Sequence, residues 1–297
     1  MKGKTITGQD VAQFLKKPLR GKSLPILEPA DINRCGPRTI VWVKSFTDER
    51  LELLEQRRPA LVICDNETGR KTTVPHIVST NPRLDFIKVL SKFFKFTHKP
   101  VIHHTALIEK GASVGKNVGI GAFARIGRQV SIGDDCVIGS GVVLEGKVEL
   151  GRNCIIKPNS VIGCQGFGFE YNEEGKPLHF LHLGKIIFED DVWIGSCTTI
   201  ELGTLGATTI QKECKIDDLV QIGHNVTIGT KTLVMANTVI CGGVIIGERC
   251  WIAPNSVIKE KVRIGNSVTI GLGSVVLRDI DDGLIVAGVP ANPIKKK

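Results

Sequence analysis

The sequence predicts a mainly β protein in which a small α/β domain is followed by a parallel β-helix. An aliphatic residue recurs at every sixth position from Ile102 to Ile162, and again from Ile210 to Val276. A strict six-residue period indicates one short strand and one turn per repeat, and three such rungs form one coil. Before residue 100 this period is missing, and short apolar runs alternate with amphipathic segments, which is typical of an α/β domain.

The first 99 residues supply the elements of the α/β domain. Helices are predicted where apolar and charged residues alternate with a helical period, and strands where apolar residues are continuous. In chain order the predicted elements are a helix at Asp10–Phe14, a strand at Thr39–Val43, a helix at Thr47–Glu55, a strand at Ala60–Cys64 and a helix at Asn81–Phe94. Lys95–Pro100 is predicted to be the linker, because Pro100 ends any helix or strand that precedes it. The domains are therefore 1–99 and 100–297.

The six-residue period is interrupted twice in the second domain. Residues 164–187 form an insertion, and the rungs resume out of step at Phe188, Ile194 and Ile200. Glu201–Thr209 is too long for one rung, and Ile210 restores the phase. Roughly nine coils are expected, each rising by about 4.8 Å. The known pattern for hexapeptide repeats makes the β-helix left-handed, against the usual right-handed crossover.

The charge and the cysteines restrict the classes of partner and the cellular compartment that the sequence favours. The net charge is +9, but lysines and arginines are scattered through the turns, which disfavours nucleic-acid binding and suits a phosphorylated substrate or an acidic carrier protein. No long apolar run or signal peptide opens the chain, so no membrane span and a cytoplasmic location are expected. The nine cysteines lack metal-ligand spacing. Cys136, Cys154, Cys214 and Cys250 occupy the small inward position of a rung and are expected as buried thiols, with a Cys136–Cys154 disulfide as the alternative.

One rung carries a candidate base. His224 follows an aliphatic rung residue, with Asn225 beside it, and one coil later lie Gly242 and Gly243. Two positions without side chains next to a histidine predict an open slot for a linear donor arm. Asp217, also just after a rung, is the candidate for orienting the imidazole. The alternative is a solvated histidine on a glycine-rich turn.

Three motifs resemble the UDP-3-O-acylglucosamine N-acyltransferase family. They are Gly-Phe-Gly-Phe (166–169), Thr-Thr-Ile-Glu-Leu-Gly-Thr-Leu (198–205) and Ile-Asp-Asp-Leu-Val-Gln-Ile-Gly-His-Asn (216–225). The resemblance implies that His224 is the general base for a sugar amine attacking an acyl thioester, with Asp217 as the acidic residue near it. It also implies that Trp42 stacks on the base of a nucleotide, with Ser45 as a polar contact. The other substrate-binding residues it implies are Phe167, Phe169, Gln221 and Asn225.

Some positions depart from the family pattern. Lys261 aligns with a second histidine of the family, and Glu201-Leu202-Gly203 stands where Asp-Arg-Gly is usual. The family's C-terminal helices, which engage acyl carrier protein, are not found before the chain ends. That ending, around Pro290, resembles coenzyme A-dependent sugar acetyltransferases. These departures favour short-chain acyl-CoA over acyl carrier protein, with Gly242, Gly243, Lys261 and Pro290 as donor-binding residues.

The flat walls of the prism also predict self-association, and two other classes of function are considered. Flat walls with exposed side chains are usually buried by packing between copies, so a homotrimer with sites between the prisms is expected. No bound cofactor or metal is predicted. A carbonic anhydrase of this fold needs three converging histidines, which the spacing does not provide, although His179 and His182 form a candidate metal pair. A non-catalytic scaffold or binding protein is the alternative of another class.

Overall fold

The computed structural model describes residues 6–94 and 100–296. The chain divides into two compact units, Met1–Thr97 and His98–Lys297. All of the predicted linker except Pro100 lies outside the described residues, as does Lys297. In the part of the chain that is described, no helix is long and apolar enough to cross a membrane.

The first unit is a small α/β domain built on a five-stranded sheet. Thr39–Val43 and Leu61–Cys64 lie side by side in parallel at its centre and are almost entirely buried. The strand order across the sheet is Leu19–Arg20, His76–Val78, Leu61–Cys64, Thr39–Val43 and Glu28–Pro29. Ile6–Thr7 and Pro25–Ile26 form a separate antiparallel pair. The helices are Gly8–Leu15, Asp48–Arg57, Asn66–Lys71 and Pro82–Phe93.

Each of these helices begins at a capping side chain. Thr7, Thr47, Asp65 and Asn81 each accept a hydrogen bond from a backbone N–H of the first turn, which satisfies donors that have no partner within the helix. The three predicted helices and both predicted strands are confirmed, with ends shifted by at most two residues. The helix at Asn66–Lys71 and the three outer strands of the sheet were not predicted.

The second unit is a left-handed parallel β-helix with three flat walls. The strands of wall one are Leu107–Ile108, Arg125–Ile126, Val143–Leu144, Val161–Cys164, Thr199–Glu201, Gln221–Ile222, Val239–Ile240, Val257–Ile258 and Val275–Val276. Those of wall two are Ser113–Val114, Val130–Ile132, Lys147–Leu150, Lys185–Phe188, Ala207–Ile210, Thr227–Ile228, Ile245–Ile246 and Arg263–Ile264. Those of wall three are Gly119–Ile120, Val137–Ile138, Ile155–Ile156, Trp193–Ile194, Lys215–Ile216, Leu233–Val234, Trp251–Ile252, Thr269–Ile270, Leu284–Ala287 and the antiparallel Asn292–Lys296.

The predicted rung residues fill the interior of the prism. Ile222 pairs with Ile240 of the next coil, and both are buried, so the aliphatic side chains stack in continuous columns. The small inward positions are confirmed as buried, and Cys136 and Cys154 are free thiols on neighbouring coils. Many turns contain one residue with positive φ. Asn225, at φ 58°, is one of them, and asparagine tolerates this conformation better than most residues.

Both interruptions of the period fall at one edge of the prism. The insertion leaves wall one after Ile162 and returns on wall two at Lys185, and it contains a hairpin of Phe169–Tyr171 and Pro177–His179. The long turn after Ile200 also joins wall one to wall two. Ile162, Ile200, Ile222 and Ile240 pair in register along wall one. We call the edge formed by the turns that follow these four residues the first corner.

The first corner depends on a glycine at the base of the insertion. Gly163 has φ +98°, and a Cβ there would overlap the carbonyl oxygen of Glu145. We expect Gly163→Ala to lower the free energy of unfolding by about 3 kcal/mol or more, because backbone strain and a steric clash add. Gly273→Ala is the matched control, since Gly273 has φ +62° with open space around it, and it should cost only about 1 kcal/mol. Equal losses for the two variants in denaturant unfolding would contradict the packing described here.

Candidate active site at the first corner

His224 lies on the turn after Ile222, in the middle of the first corner. Its carbonyl accepts a hydrogen bond from Gly243 N at 2.8 Å, which fixes it against the next coil. A Cβ at residue 242 would lie 2.5 Å from Nε2 of His224. The imidazole therefore extends over Gly242, and only a residue without a side chain leaves room for it.

The other ring nitrogen of His224 is held by Asn225. Nδ1 of His224 lies 3.1 Å from Oδ1 of Asn225. The same Oδ1 accepts hydrogen bonds from the backbone N–H of Thr204 at 3.0 Å and from its hydroxyl at 2.8 Å. A backbone N–H is always a donor, so the atom facing it must be the amide oxygen. Nδ1 must then carry the proton in the neutral ring, which leaves the lone pair on Nε2, over Gly242.

A carboxylate approaches His224 from the preceding coil. Oε2 of Glu201 accepts a hydrogen bond from the backbone N–H of His224 at 3.1 Å, and Oε1 accepts one from Nε2 of Gln221 at 3.2 Å. Burial raises the pKa of Glu201, and the two hydrogen bonds and the nearby His224 oppose that shift in part. The acid next to His224 is thus half-buried and held by two donors.

The predicted contact between Asp217 and His224 is wrong for this chain. Asp217 follows Ile216 of wall three, so its turn joins wall three to wall one, at a different edge of the prism from the first corner. There its carbonyl accepts a hydrogen bond from the hydroxyl of Thr198, and the residue lines a hollow with Lys157 and Trp193. Glu201 occupies the position beside His224 that was assigned to Asp217.

The insertion folds back over the first corner and brings a second histidine to it. The ring centroids of His182 and His224 are 5.0 Å apart, with the rings inclined at 62°. The ring of His179 also stacks on that of His182, with centroids 6.0 Å apart, and Nε2 of His179 lies 3.1 Å from the carbonyl oxygen of Gly166. His182 thus lies close to both His224 and His179, and the described residues contain no group of three ligands placed to hold a metal ion.

Sequence reasoning missed Glu201 and His182 as neighbours of His224. Glu201 was noted only as a departure from a motif, and His182 only as half of a candidate metal pair. The positions of both residues in the repeat pattern could have revealed them. Both lie in segments that leave wall one at the column containing Ile222, so both segments had to emerge at the first corner.

The predicted donor-binding residues divide between two edges. Gly243 lies at the first corner, and the Cγ of Lys261 would be 3.3 Å from a Cβ at that position. Pro290 does not join them, because its segment pairs with Val275 on the edge between walls three and one. Pro290 was grouped with the glycines by resemblance alone, and its part in donor binding stays a prediction.

The two phenylalanines of the Gly-Phe-Gly-Phe motif are exposed. Phe167 is 88% exposed, and its ring centroid lies 4.9 Å from that of Phe169. Gly166 and Gly168, which flank Phe167, both pack against His182. The Gly-Phe-Gly-Phe motif therefore covers His182 with its glycines and turns its aromatic rings outward.

Trp42 and Ser45 belong to the first unit. Trp42 is half-buried and packs on Phe86 with ring centroids 6.5 Å apart. It also lines a hollow of about 210 Å³ together with Asp31, Lys44 and Arg50. The Ser45 hydroxyl accepts a hydrogen bond from the Arg50 guanidinium at 2.9 Å. Trp42 thus combines a core contact with one side open to a small polar hollow.

Comparison with known proteins places this architecture among bacterial transferases. The model "Bacterial transferase hexapeptide (six repeats)" matches residues 129–164 and 243–278, and "Hexapeptide repeat of succinyl-transferase" matches 107–146 and 220–260. Among solved structures, the UDP-N-acetylglucosamine acyltransferase from Campylobacter jejuni is 22% identical, with TM-score 0.61 over 66% of this chain and 75% of that one. The Francisella novicida enzyme of the same name is 25% identical, with TM-score 0.61 over 66% of this chain and 71% of that one. These likenesses establish the β-helix fold.

Curated relatives share more of the sequence. A UDP-3-O-acylglucosamine N-acyltransferase from Methylacidiphilum infernorum is 34% identical over 261 residues, which cover 81% of this chain and 74% of the relative. The protein of that name from Methylococcus capsulatus is 35% identical over 154 residues, 50% of this chain and 42% of the relative. The Helicobacter hepaticus protein of that name is 43% identical over 89 residues, which cover 30% of this chain and 27% of the relative. The chain thus spans less than half of the length of the last two relatives but about three quarters of the first. The chain belongs to the UDP-3-O-acylglucosamine N-acyltransferase family.

Proposed function

We propose that this protein is an N-acyltransferase that moves an acyl group from a thioester to the amine of a nucleotide-linked amino sugar, in the synthesis of lipid A or a related surface polysaccharide. The observation that carries the proposal is the fixed orientation of His224, whose Nε2 lone pair extends over the space that Gly242 leaves open. Family membership supports the reaction class, and the orientation of the His224 ring supports its proposed role as the base.

The proposed step is attack of the amine nitrogen on the thioester carbonyl carbon. A C–N bond forms, the C–S bond breaks, and the thiolate leaves with the electron pair of that bond. The proton lost by the amine nitrogen goes to Nε2 of His224. An amine is protonated near neutral pH, so a base positioned at the nucleophile contributes about 10²–10⁴-fold to the rate.

Glu201 supports the charge that this step creates. When His224 takes up the proton it becomes an imidazolium in a half-buried site, where an unpaired charge is costly. The Glu201 carboxyl is close enough for its pKa to respond to the charge of His224. In the ionised form it stabilises the imidazolium, and Gln221 and the His224 backbone hold it in place.

The donor is proposed to be a phosphopantetheine thioester lying along Gly242 and Gly243. Acyl-CoA and acylated carrier protein present the same arm, so both are candidate co-substrates, and Lys261 beside Gly243 suits the negative charge of either one. A carrier protein would add a protein–protein contact that salt weakens. Assays with acetyl-CoA and with a 3-hydroxyacyl carrier protein, each at low and high salt, identify the source of the arm.

The nucleotide is proposed to bind in the first unit, at the hollow beside Trp42. An aromatic face open to a hollow suits a stacked base, and Lys44 and Arg50 on the same hollow suit phosphate groups. We propose that the reaction takes place in the cytoplasm, as the sequence patterns predict.

We propose that the protein acts as a homotrimer. Outward-facing positions of wall one are mostly apolar, with Leu107 and Val257 among the exposed ones. The aromatic residues of the insertion add further apolar surface next to the first corner. Such surface is usually covered by another copy of the same chain.

His224→Ala tests the proposed reaction. We expect turnover at saturating donor to fall by about 10²–10⁴-fold, because the base is lost, while substrate binding and the melting temperature stay near those of the wild type. His104→Ala, which removes an exposed imidazole outside the first corner, is the control. If His224→Ala keeps more than about a third of the wild-type turnover, His224 is not the base. Transfer of an acyl group to an amino-sugar nucleotide by the wild type would exclude the scaffold alternative.

Trp42→Ala tests the proposed nucleotide site. Stacking of a base on an aromatic ring is worth about 1–3 kcal/mol, so KM for the nucleotide sugar should rise roughly tenfold while KM for the donor changes little. Trp42→Phe, which keeps an aromatic face, should recover most of the affinity. An equal effect on both substrates, or a large fall in melting temperature for Trp42→Ala, would assign Trp42 to the core alone.

A further inference from the structure

The return segment of the insertion buries its polar residue and exposes its apolar ones. His182 is 1% exposed, whereas Leu181 and Leu183 on either side are 58% and 61% exposed. Neither ring nitrogen of His182 has a hydrogen-bond partner among the described residues. A buried polar group without a partner costs about 1–3 kcal/mol, and burying a leucine instead would stabilise the fold by a similar amount. The arrangement therefore works against stability.

Hydrogen bonds to the backbone of His182 and Leu183 hold this unfavourable arrangement in place. The side chain of Gln165 accepts a hydrogen bond from His182 N at 2.8 Å and donates one to His182 O at 2.9 Å. The next residue, Leu183, donates its N–H to the carbonyl of Thr204 at 2.7 Å. Thr204 is also the residue that fixes the amide of Asn225. The segment that positions His182 and the network that orients His224 are thus joined.

Among the described residues, three titratable groups face His182. The ring centroids of His224 and His179 lie 5.0 Å and 6.0 Å from that of His182. The third group is the carboxyl of Glu201. A Cβ built on Gly166 would lie within 3 Å of both Oε2 of Glu201 and Nε2 of His182, so these two atoms flank the same glycine. Burial, followed by the proximity of His224, lowers the pKa of His182. The ring is therefore neutral at neutral pH and offers one unshared lone pair.

We propose that His182 is a positioning residue for the reaction at His224, and that its neutral, unpaired imidazole stabilises the imidazolium that His224 becomes. This inference rests on the proposed acyl transfer. The lone pair of a neutral imidazole is attracted to a neighbouring cation, and a preorganised dipole acts most strongly where water is excluded. An apolar side chain of the same size would pack equally well but would lack the nitrogen lone pair that is proposed to face the charge. No proton is transferred to His182 in this step.

His182→Phe separates this role from packing, because phenylalanine keeps a ring of similar size and removes both nitrogens. We expect kcat to fall about tenfold with KM for both substrates unchanged, and the melting temperature to stay the same or rise. His182→Gln, which restores a hydrogen-bonding group, should recover part of kcat. In the His224→Ala background, His182→Phe should cause no further loss, because there is no imidazolium to stabilise.

The outcomes distinguish this inference from the proposed function. Full activity of His182→Phe beside an inactive His224→Ala would overturn the inference and leave the acyl transfer intact. A tenfold loss that persists in the His224→Ala background, or a fall in melting temperature that accounts for the loss, would show a structural role and also overturn it. If the wild type transfers no acyl group, both proposals are wrong. His104→Phe, away from the first corner, is the control and should match the wild type.

Discussion

The chemistry of the first corner depends on the hydrogen bond between Asn225 and His224. Asn225 presents its oxygen to Nδ1 because the backbone N–H of Thr204 occupies the other side of that oxygen. Thr204 lies in the long turn that interrupts the six-residue period, so the irregular segment fixes the tautomer of a side chain on a regular rung. Without that contact either nitrogen of His224 could carry the proton, and Nε2 would present its lone pair to the space over Gly242 only part of the time.

The β-helix explains why these residues gather at one edge. Along the walls, ladder hydrogen bonds use the backbone polar groups, and aliphatic side chains fill the interior, so chemistry is confined to turns and insertions. The insertion, the long turn, His224 and Gly242 leave wall one at successive coils of the same column. Stacking of coils converts residues that are far apart in sequence into neighbours.

The sequence predicted the regular parts of the fold because a periodic pattern reports burial directly. Ile222 and Ile240 were placed inside the prism, and Thr39–Val43 was placed as a buried strand, and these predictions are confirmed. The irregular parts were not predicted, because their contacts depend on tertiary packing. Asp217 was paired with His224 by separation along the chain, although one rung of separation places a residue on a different corner. His182 and Glu201 were missed because the paths of the insertion and of the long turn cannot be obtained from a period that both segments break.

The orientation of the His224 ring can be observed without an assay of activity. Long-range ¹H–¹⁵N NMR spectra of histidine-labelled protein, recorded at a pH where the ring is neutral, distinguish a protonated Nδ1 from a protonated Nε2. His224→Ala assigns the signals. We expect Nδ1 to carry the proton in the wild type, and Asn225→Leu, which removes the acceptor, to shift the ring towards a mixture of both tautomers. A wild-type spectrum with the proton on Nε2 would contradict the account, because His224 would then face the slot as a donor and could not be the base.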